Sequence, residues 1–108
     1  MALAARFQLE TRRGDGAARL KTARELADAR VGDPQTLIEA AELLGDAGDP
    51  ARASICYEVV LDQTSQPDSV LLGQLGFARL RAGNLDGAQA AFAAVAALRP
   101  TEPRPVFF

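Results

Sequence analysis

The chain has 108 residues, a net charge of −2 and an apolar fraction of 48%, with only 6% aromatic residues. This length suits one domain, and a domain of this size folds without needing a disulfide or a metal. Acidic and basic residues are mixed along the chain, which argues against a nucleic-acid partner. No apolar run is long enough for membrane insertion. The single Cys56 excludes an internal disulfide and suits a reducing compartment.

Six helices are predicted, in three consecutive pairs. The Gly/Asp turn at 14–16 separates the first two, and Asp33 followed by Pro34 is a cap with a first-turn proline that begins the third. Gly48 and Gly83 end the first helix of the second and third pairs, because Gly tolerates the left-handed conformation found there. The predicted helices cover residues 2–13, 16–31, 34–47, 50–63, 68–82 and 85–98.

A repeat of 35 residues relates the second helix pair to the third. The matching positions are Leu37 and Leu72, Ala41 and Gly76, Gly48 and Gly83, Ala53 and Ala88, Tyr57 and Phe92, and Val60 and Val95. Small residues such as Gly76 let the two helices of a pair approach closely. The large residues Tyr57 and Phe92 are expected to fill the gap between one hairpin and the next.

This pattern resembles the tetratricopeptide repeat (TPR) family, whose period is about 34 residues. The residues that match the consensus spacing are Leu75, Gly76, Gly83, Asn84, Ala88, Phe92 and Pro100. The resemblance implies an all-α fold, a right-handed superhelix of about three antiparallel helix hairpins at about 2–31, 34–63 and 68–98. Residues 1–100 would form a single TPR-like domain and 101–108 a Pro-rich C-terminal tail. The first hairpin matches the pattern only loosely.

TPR arrays bind proteins on a concave face that the first helix of each hairpin lines. The resemblance carries this partner-binding role to Phe7, Ile38, Glu42, Gly73, Phe77, Leu80 and Arg81. Their apolar members indicate a groove for an apolar or amphipathic segment of a partner protein. The alternative is that these residues pack locally between hairpins.

One binding mode of the family does not fit the residues of this chain. TPR adaptors of heat-shock chaperones grip a C-terminal carboxylate with Lys, Asn and Arg at these groove positions. Here the positions hold Ile38, Glu42, Gly73 and Phe77. A carboxylate clamp is therefore not expected.

The sequence does not indicate an enzyme. It has no His, the commonest general base and metal ligand, and no phosphate-binding loop or zinc-ligand spacing. We interpret Cys56, next to a packing aromatic, as a buried structural thiol, and Glu39 with Glu42 as a solvated helix face. No cofactor or metal is expected.

The C-terminal tail suggests two further hypotheses. Its last residues Val106, Phe107 and Phe108 are candidates for self-association into a homo-oligomer. The stretch Glu102-Pro103-Arg104 before these aromatics resembles the inter-repeat junction of class II chaperones of bacterial type III secretion, which are small cytoplasmic TPR proteins. The resemblance implies a cytoplasmic chaperone that holds an apolar segment of its partner. The alternatives are a structural assembly element that self-associates and a fragment of a longer TPR adaptor.

Overall fold

A computed structural model describes residues 2–66 and 68–98 of the chain, which form six α-helices and no strand. The helices are α1 (Leu3–Arg13), α2 (Gly16–Ala29), α3 (Pro34–Asp46), α4 (Pro50–Gln63), α5 (Ser69–Arg81) and α6 (Leu85–Ala97). The prediction of an all-helical chain with six helices at these places is confirmed. The largest difference is at the end of α2, which the sequence extends to residue 31. The helix ends at Ala29 because Arg30 adopts a left-handed conformation, with φ of 55°.

Side-chain caps fix the beginnings of five helices. Each helix from α2 to α6 follows an Asp or Asn whose side-chain oxygen accepts a backbone N–H of the first turn, and these residues are Asp15, Asp33, Asp49, Asp68 and Asn84. Hydrogen bonding from Thr36 lowers the pKa of the Asp33 carboxyl below its ordinary value. At the opposite ends of α3 and α5, Gly48 and Gly83 take the predicted left-handed conformation, with φ of 82° and 83°.

The six helices form three hairpins of neighbours in sequence, α1 with α2, α3 with α4 and α5 with α6. Bonds across the first hairpin show its antiparallel course. Near the turn, Arg19 Nε donates to Thr11 Oγ1 over 2.9 Å, and farther from it the guanidinium of Arg6 pairs with Glu25. The short turns at 14–15, 47–49 and 82–84 make each pair antiparallel.

The core lies between the first two hairpins. α2 packs on both α3 and α4, and α1 also reaches α3. The largest fully buried side chains of this region are Phe7, Leu26, Leu37, Leu44 and Val60. Burying each such side chain contributes roughly 1.5–3 kcal/mol relative to leaving it exposed. The first four helices therefore form one continuous packed unit.

Ion pairs on the surface join α2 to α4. Arg52 Nε lies 3.0 Å from Asp28 Oδ1, and Arg30 Nη2 lies 3.3 Å from Glu58 Oε1. Exposed pairs of this kind contribute little stability individually.

The third hairpin packs on the second mainly through α5 against α4. Leu71, Leu75 and Ala78 of α5 are buried there, and Arg79 Nη2 lies 3.0 Å from Glu58 Oε2 of α4. Tyr57 lies between these two hairpins, as predicted, and is nearly buried. The interface between the second and third hairpins is thus formed mainly by one face of α5 on α4. The interface between the first two hairpins involves α1 and α2 on one side and α3 and α4 on the other.

Within the third hairpin, α5 approaches α6 closely at Gly76. A Cβ atom at this position would lie 2.7 Å from Cε1 of the Phe92 ring, which is tighter than side chains tolerate. The predicted close contact at Gly76 is confirmed. The Phe92 ring is partly buried against its own hairpin, where it also meets Phe77 edge-on with ring centroids 5.4 Å apart.

Candidate protein-binding surface

One face of α5 carries large apolar side chains in solvent. Val70, Phe77 and Leu80 are 67%, 61% and 45% exposed, and Gly73 lies between the first two. Residues spaced by three and four positions share one face of an α-helix. The four residues therefore form one continuous strip about 15 Å long, given the rise of a helix, which we call the α5 stripe.

The opposite face of the same helix is already used. Leu71, Leu75 and Ala78 are buried against α4. A helix that is apolar on both faces is normally covered on both faces. Among residues 2–66 and 68–98, Phe92 meets Phe77 edge-on, but Val70, Phe77 and Leu80 stay 45–67% exposed, so the α5 stripe is a largely uncovered apolar surface.

An open cleft of about 270 Å³ lies beside the α5 stripe, between α5 and α3. Glu42 and Asp46 line it from α3, Phe77 and Arg81 line it from α5, and Tyr57 of α4 completes the lining. Phe77 belongs to both the stripe and this α3–α5 cleft. The structure therefore brings together four residues that the sequence assigned to the groove: Glu42, Phe77, Arg81 and, on the stripe, Leu80.

The cleft is electrostatically uneven. Arg81 Nη2 donates over 3.1 Å to the backbone carbonyl oxygen of Gly45, which also accepts the Gly48 N–H at the end of α3. Glu42 and Asp46 make no ion pair or hydrogen bond with other described residues. Arg81 thus keeps its positive charge in the cleft while one of its N–H groups bonds to the backbone, and both carboxylates stay exposed to solvent.

The phenol of Tyr57 responds to this environment. Burial raises its pKa above the ordinary value of 10.0, and the negative charges of Glu42 and Asp46 raise it further. The hydroxyl consequently stays protonated across the physiological range. It adds a neutral polar group to a lining that also contains Gln74, Arg81 and the two carboxylates.

Ile38 and Gly73 occupy separate parts of the predicted groove. Ile38 is partly buried, rests on the core and borders a shallow depression with Pro34 and Glu39. Gly73 lies at the surface of α5, where a Cβ atom would meet nothing within 4 Å. Ile38 therefore lies on the α3 side of the cleft, whereas Gly73 lies on the stripe itself.

Phe7 is a correction to the predicted groove. Its side chain is 0% exposed, lies in the core and has the Arg19 guanidinium 5.2 Å from its ring centroid. α1 contains no other fully buried side chain, so Phe7 is its anchor on α2 and α3. A partner cannot reach this residue in the folded chain.

Val70 is the surface residue that the sequence analysis did not name. It is the most exposed large apolar side chain of the described residues. In the sequence it is indicated only by its spacing. Val70 lies three residues before Gly73 and seven before Phe77, on a helix that has a second apolar face. The tail residues Val106, Phe107 and Phe108 lie outside the described residues.

The interpretation of Cys56 as a buried thiol is confirmed. It is 0% exposed, and burial raises its pKa to about 12, with a smaller contribution from the charge of Asp49. The thiolate is the reactive form of cysteine, so this protonated thiol is a poor nucleophile near neutral pH. Of the two residues interpreted as a solvated helix face, Glu42 is exposed beside the cleft, whereas Glu39 is partly buried and accepts a hydrogen bond from Gln8 over 3.0 Å.

Comparisons of the chain with protein-family models, with curated proteins and with solved structures gave no match. Within the described part of the chain, none of the helices combines the length and the apolar character needed to cross a membrane. The α5 stripe and the α3–α5 cleft are therefore the features of the molecule that indicate its function.

Proposed function

We propose that the chain is a non-enzymatic protein-binding module of the TPR type. In this proposal the three hairpins form a right-handed superhelix, and the α5 stripe with the α3–α5 cleft binds an apolar or amphipathic segment of a partner protein. Three hairpins in chain order, a 35-residue repeat and an elongated shape of 52 × 27 × 24 Å support the repeat architecture.

The observation that carries the proposal is the α5 stripe. Single exposed apolar residues are normal on protein surfaces and need no explanation. Here Val70, Phe77 and Leu80 are contiguous on one helix whose other face is buried. Contiguous apolar surface of this kind marks sites of protein interaction.

The lining of the cleft supports binding rather than catalysis. The phenol of Tyr57 stays protonated because burial raises its pKa, and Cys56 is fully buried and does not line the cleft. The only cation of the cleft, within the described residues, is Arg81, and it is bonded to the Gly45 carbonyl. These groups shape and polarise a surface and are not arranged as a nucleophile with its base.

A narrower form of the proposal makes the chain a small cytoplasmic chaperone of the bacterial secretion type, which would keep an apolar segment of its partner soluble. It rests on the resemblance at 102–104, outside the described residues. The competing proposal is an assembly element in which a second copy covers the α5 stripe. Both proposals use the same apolar surface. They differ in whether a segment of another protein or a second copy of this chain binds there.

The test uses peptides selected from a displayed random library against the intact protein. Phe77→Ala and Leu80→Ala should each weaken binding of the selected peptides by about tenfold or more, as truncation of a buried interface anchor does. Val31→Ala is the matched control, because Val31 is 47% exposed, close to the 45% of Leu80, but lies in the α2–α3 turn. Light scattering over a concentration series separates the assembly proposal, which predicts a larger particle that Phe77→Ala dissociates. Selected peptides that bind both stripe variants as tightly as wild type would overturn the proposed site.

A further inference from the structure

The α5 stripe has a hole in its middle. At Gly73 a Cβ atom would find no neighbour within 4 Å, so the space above this residue is open. Val70 precedes it by one turn and Phe77 follows it by one turn, and both project large exposed side chains. A partner side chain placed over Gly73 would pack between Val70 on one side and Phe77 on the other.

The spacing of the stripe fits an incoming helix. Val70, Gly73, Phe77 and Leu80 follow one another at intervals of three, four and three residues. This is the spacing at which one helix receives the side chains of another as knobs in holes. Since the strip is about 15 Å long, it matches about ten residues, or three turns, of a partner helix.

The charge along one edge of the stripe indicates which charge a partner helix should carry. On the side that faces α3, the α3–α5 cleft presents the open carboxylates of Glu42 and Asp46. Arg81 lines the same cleft and donates to the Gly45 carbonyl, so its positive charge offsets one of the two carboxylates. A helix lying on the stripe would therefore have an edge of net negative charge along its flank.

We propose that the occupant of this surface is a cationic amphipathic helix of a partner protein. It inserts a large apolar side chain over Gly73, between Val70 and Phe77, and directs Lys or Arg from its flank toward Glu42 and Asp46. This inference rests on the proposed function and names the chemistry of its ligand.

Charge also argues against a second copy of the chain as the occupant. If two α5 stripes paired antiparallel about a twofold axis, the two cleft edges would face each other, and each carries a net negative charge from Glu42, Asp46 and Arg81. Like charges placed opposite each other suppress such a pairing. A partner with basic flanks meets no such repulsion.

The experiment compares three synthetic peptides of about 15 residues, a length that covers the stripe with a margin at each end. All three contain the same Leu residues. In two of them the Leu residues are at helical spacing, flanked in one by Lys and in the other by Glu, and the third scrambles the Lys sequence. Fluorescence anisotropy measures binding to the intact protein. The Lys peptide should bind at least about tenfold more tightly than the Glu peptide, a difference of 1.4 kcal/mol, and the scrambled peptide should not compete.

Two variants locate the binding. Gly73→Leu fills the hole and should weaken the Lys peptide by about tenfold or more, while the melting temperature stays at or above the wild-type value because the added side chain meets nothing. The double variant Glu42→Gln with Asp46→Asn should remove most of the preference for Lys over Glu. Raising the salt concentration should reduce the preference in the wild type in the same direction.

The possible outcomes separate this inference from the proposed function. Equal binding of the Lys and Glu peptides, with both lost in Phe77→Ala, would leave the binding site standing and overturn the cationic ligand. Unchanged binding in Gly73→Leu would overturn the insertion over Gly73. If no peptide binds and light scattering shows an oligomer that Phe77→Ala dissociates, a second copy occupies the stripe and both proposals fall. If no peptide binds and the chain is a monomer throughout, both also fall.

Discussion

The first two hairpins and the third are built on the same helix-pair plan but differ in how completely they are covered. In the first two, α2 packs on α3 and α4, and side chains as large as Phe7 and Leu37 are fully buried. The third hairpin rests on the second through α5 and leaves Val70 and Phe77 mostly in solvent. Within the described residues, the face of α5 opposite the one that packs on α4 therefore stays largely exposed. This exposed face is the α5 stripe, the surface that we propose binds a partner.

The largest expected effect separates the two regions by truncating one Leu in each. Leu37 is fully buried and Leu80 is 45% exposed. Leu37→Ala should lower the free energy of unfolding by about 2–5 kcal/mol through lost transfer energy and the cavity left behind. Leu80→Ala should lower it by less than about 1 kcal/mol, since little apolar area returns to water. Urea denaturation followed by circular dichroism measures both, and equal losses would mean that Leu80 belongs to the core.

A second contrast sharpens the comparison within one helix. Gly73 and Gly76 lie three residues apart on α5, but only Gly76 faces the Phe92 ring. Gly76→Leu should destabilise the fold by about 1–3 kcal/mol because the site has no room for a side chain. Gly73→Leu should be neutral or stabilising by a few tenths of a kcal/mol up to about 1, because Leu has the better helix propensity.

Thermal melts of the two glycine variants, measured side by side, supply the check. A fall in melting temperature for Gly76→Leu alone agrees with the structure. A fall of equal size for both would show that the α5 stripe is covered in solution.

Much of the fold was accessible from the sequence because its signals are local. Asp or Asn before each helix from α2 to α6, and Gly48 and Gly83 after α3 and α5, fix boundaries by short-range hydrogen bonds and backbone conformation. The contact at Gly76 followed from the repeat, since a small residue recurs there opposite Phe92.

The surface was harder to predict because exposure depends on which helices cover a residue. Phe7 was placed on the groove, although the packing of α1 on α2 and α3 buries it. Val70 was missed although it shares a face with Gly73 and Phe77. The bond from Arg81 to the Gly45 carbonyl could not be foreseen, because it depends on how the third hairpin is set against the end of α3.

A smaller expected effect, on the pH dependence of stability, concerns Cys56. This residue is buried in α4, within the first two hairpins. Burial raises the pKa of its thiol from an ordinary 9.0 to about 12. Between those values the unfolded chain releases the thiol proton while the folded chain keeps it, so stability falls as pH rises through this window. Below pH 9 the contribution is fully present. Cys56→Ala should flatten the decline, by at most about 1.4 kcal/mol per pH unit.

Thiol labelling gives an independent check on Cys56. At pH 8 a disulfide reagent should react slowly with the native protein and quickly with the denatured chain. Rapid labelling of the native protein would place the thiol at the surface.

The central claim is that the α5 stripe is exposed to solvent in the free protein and becomes covered when a partner binds. One measurement tests this claim directly. The chain contains no Trp, so Phe77→Trp introduces a single indole on the stripe, at a position that is 61% exposed. We expect the emission of a solvent-exposed indole in the free protein and a shift to shorter wavelength that saturates as the Lys peptide is added. An emission already typical of a buried indole in the free monomer, or no change at peptide concentrations that saturate binding, would contradict the account.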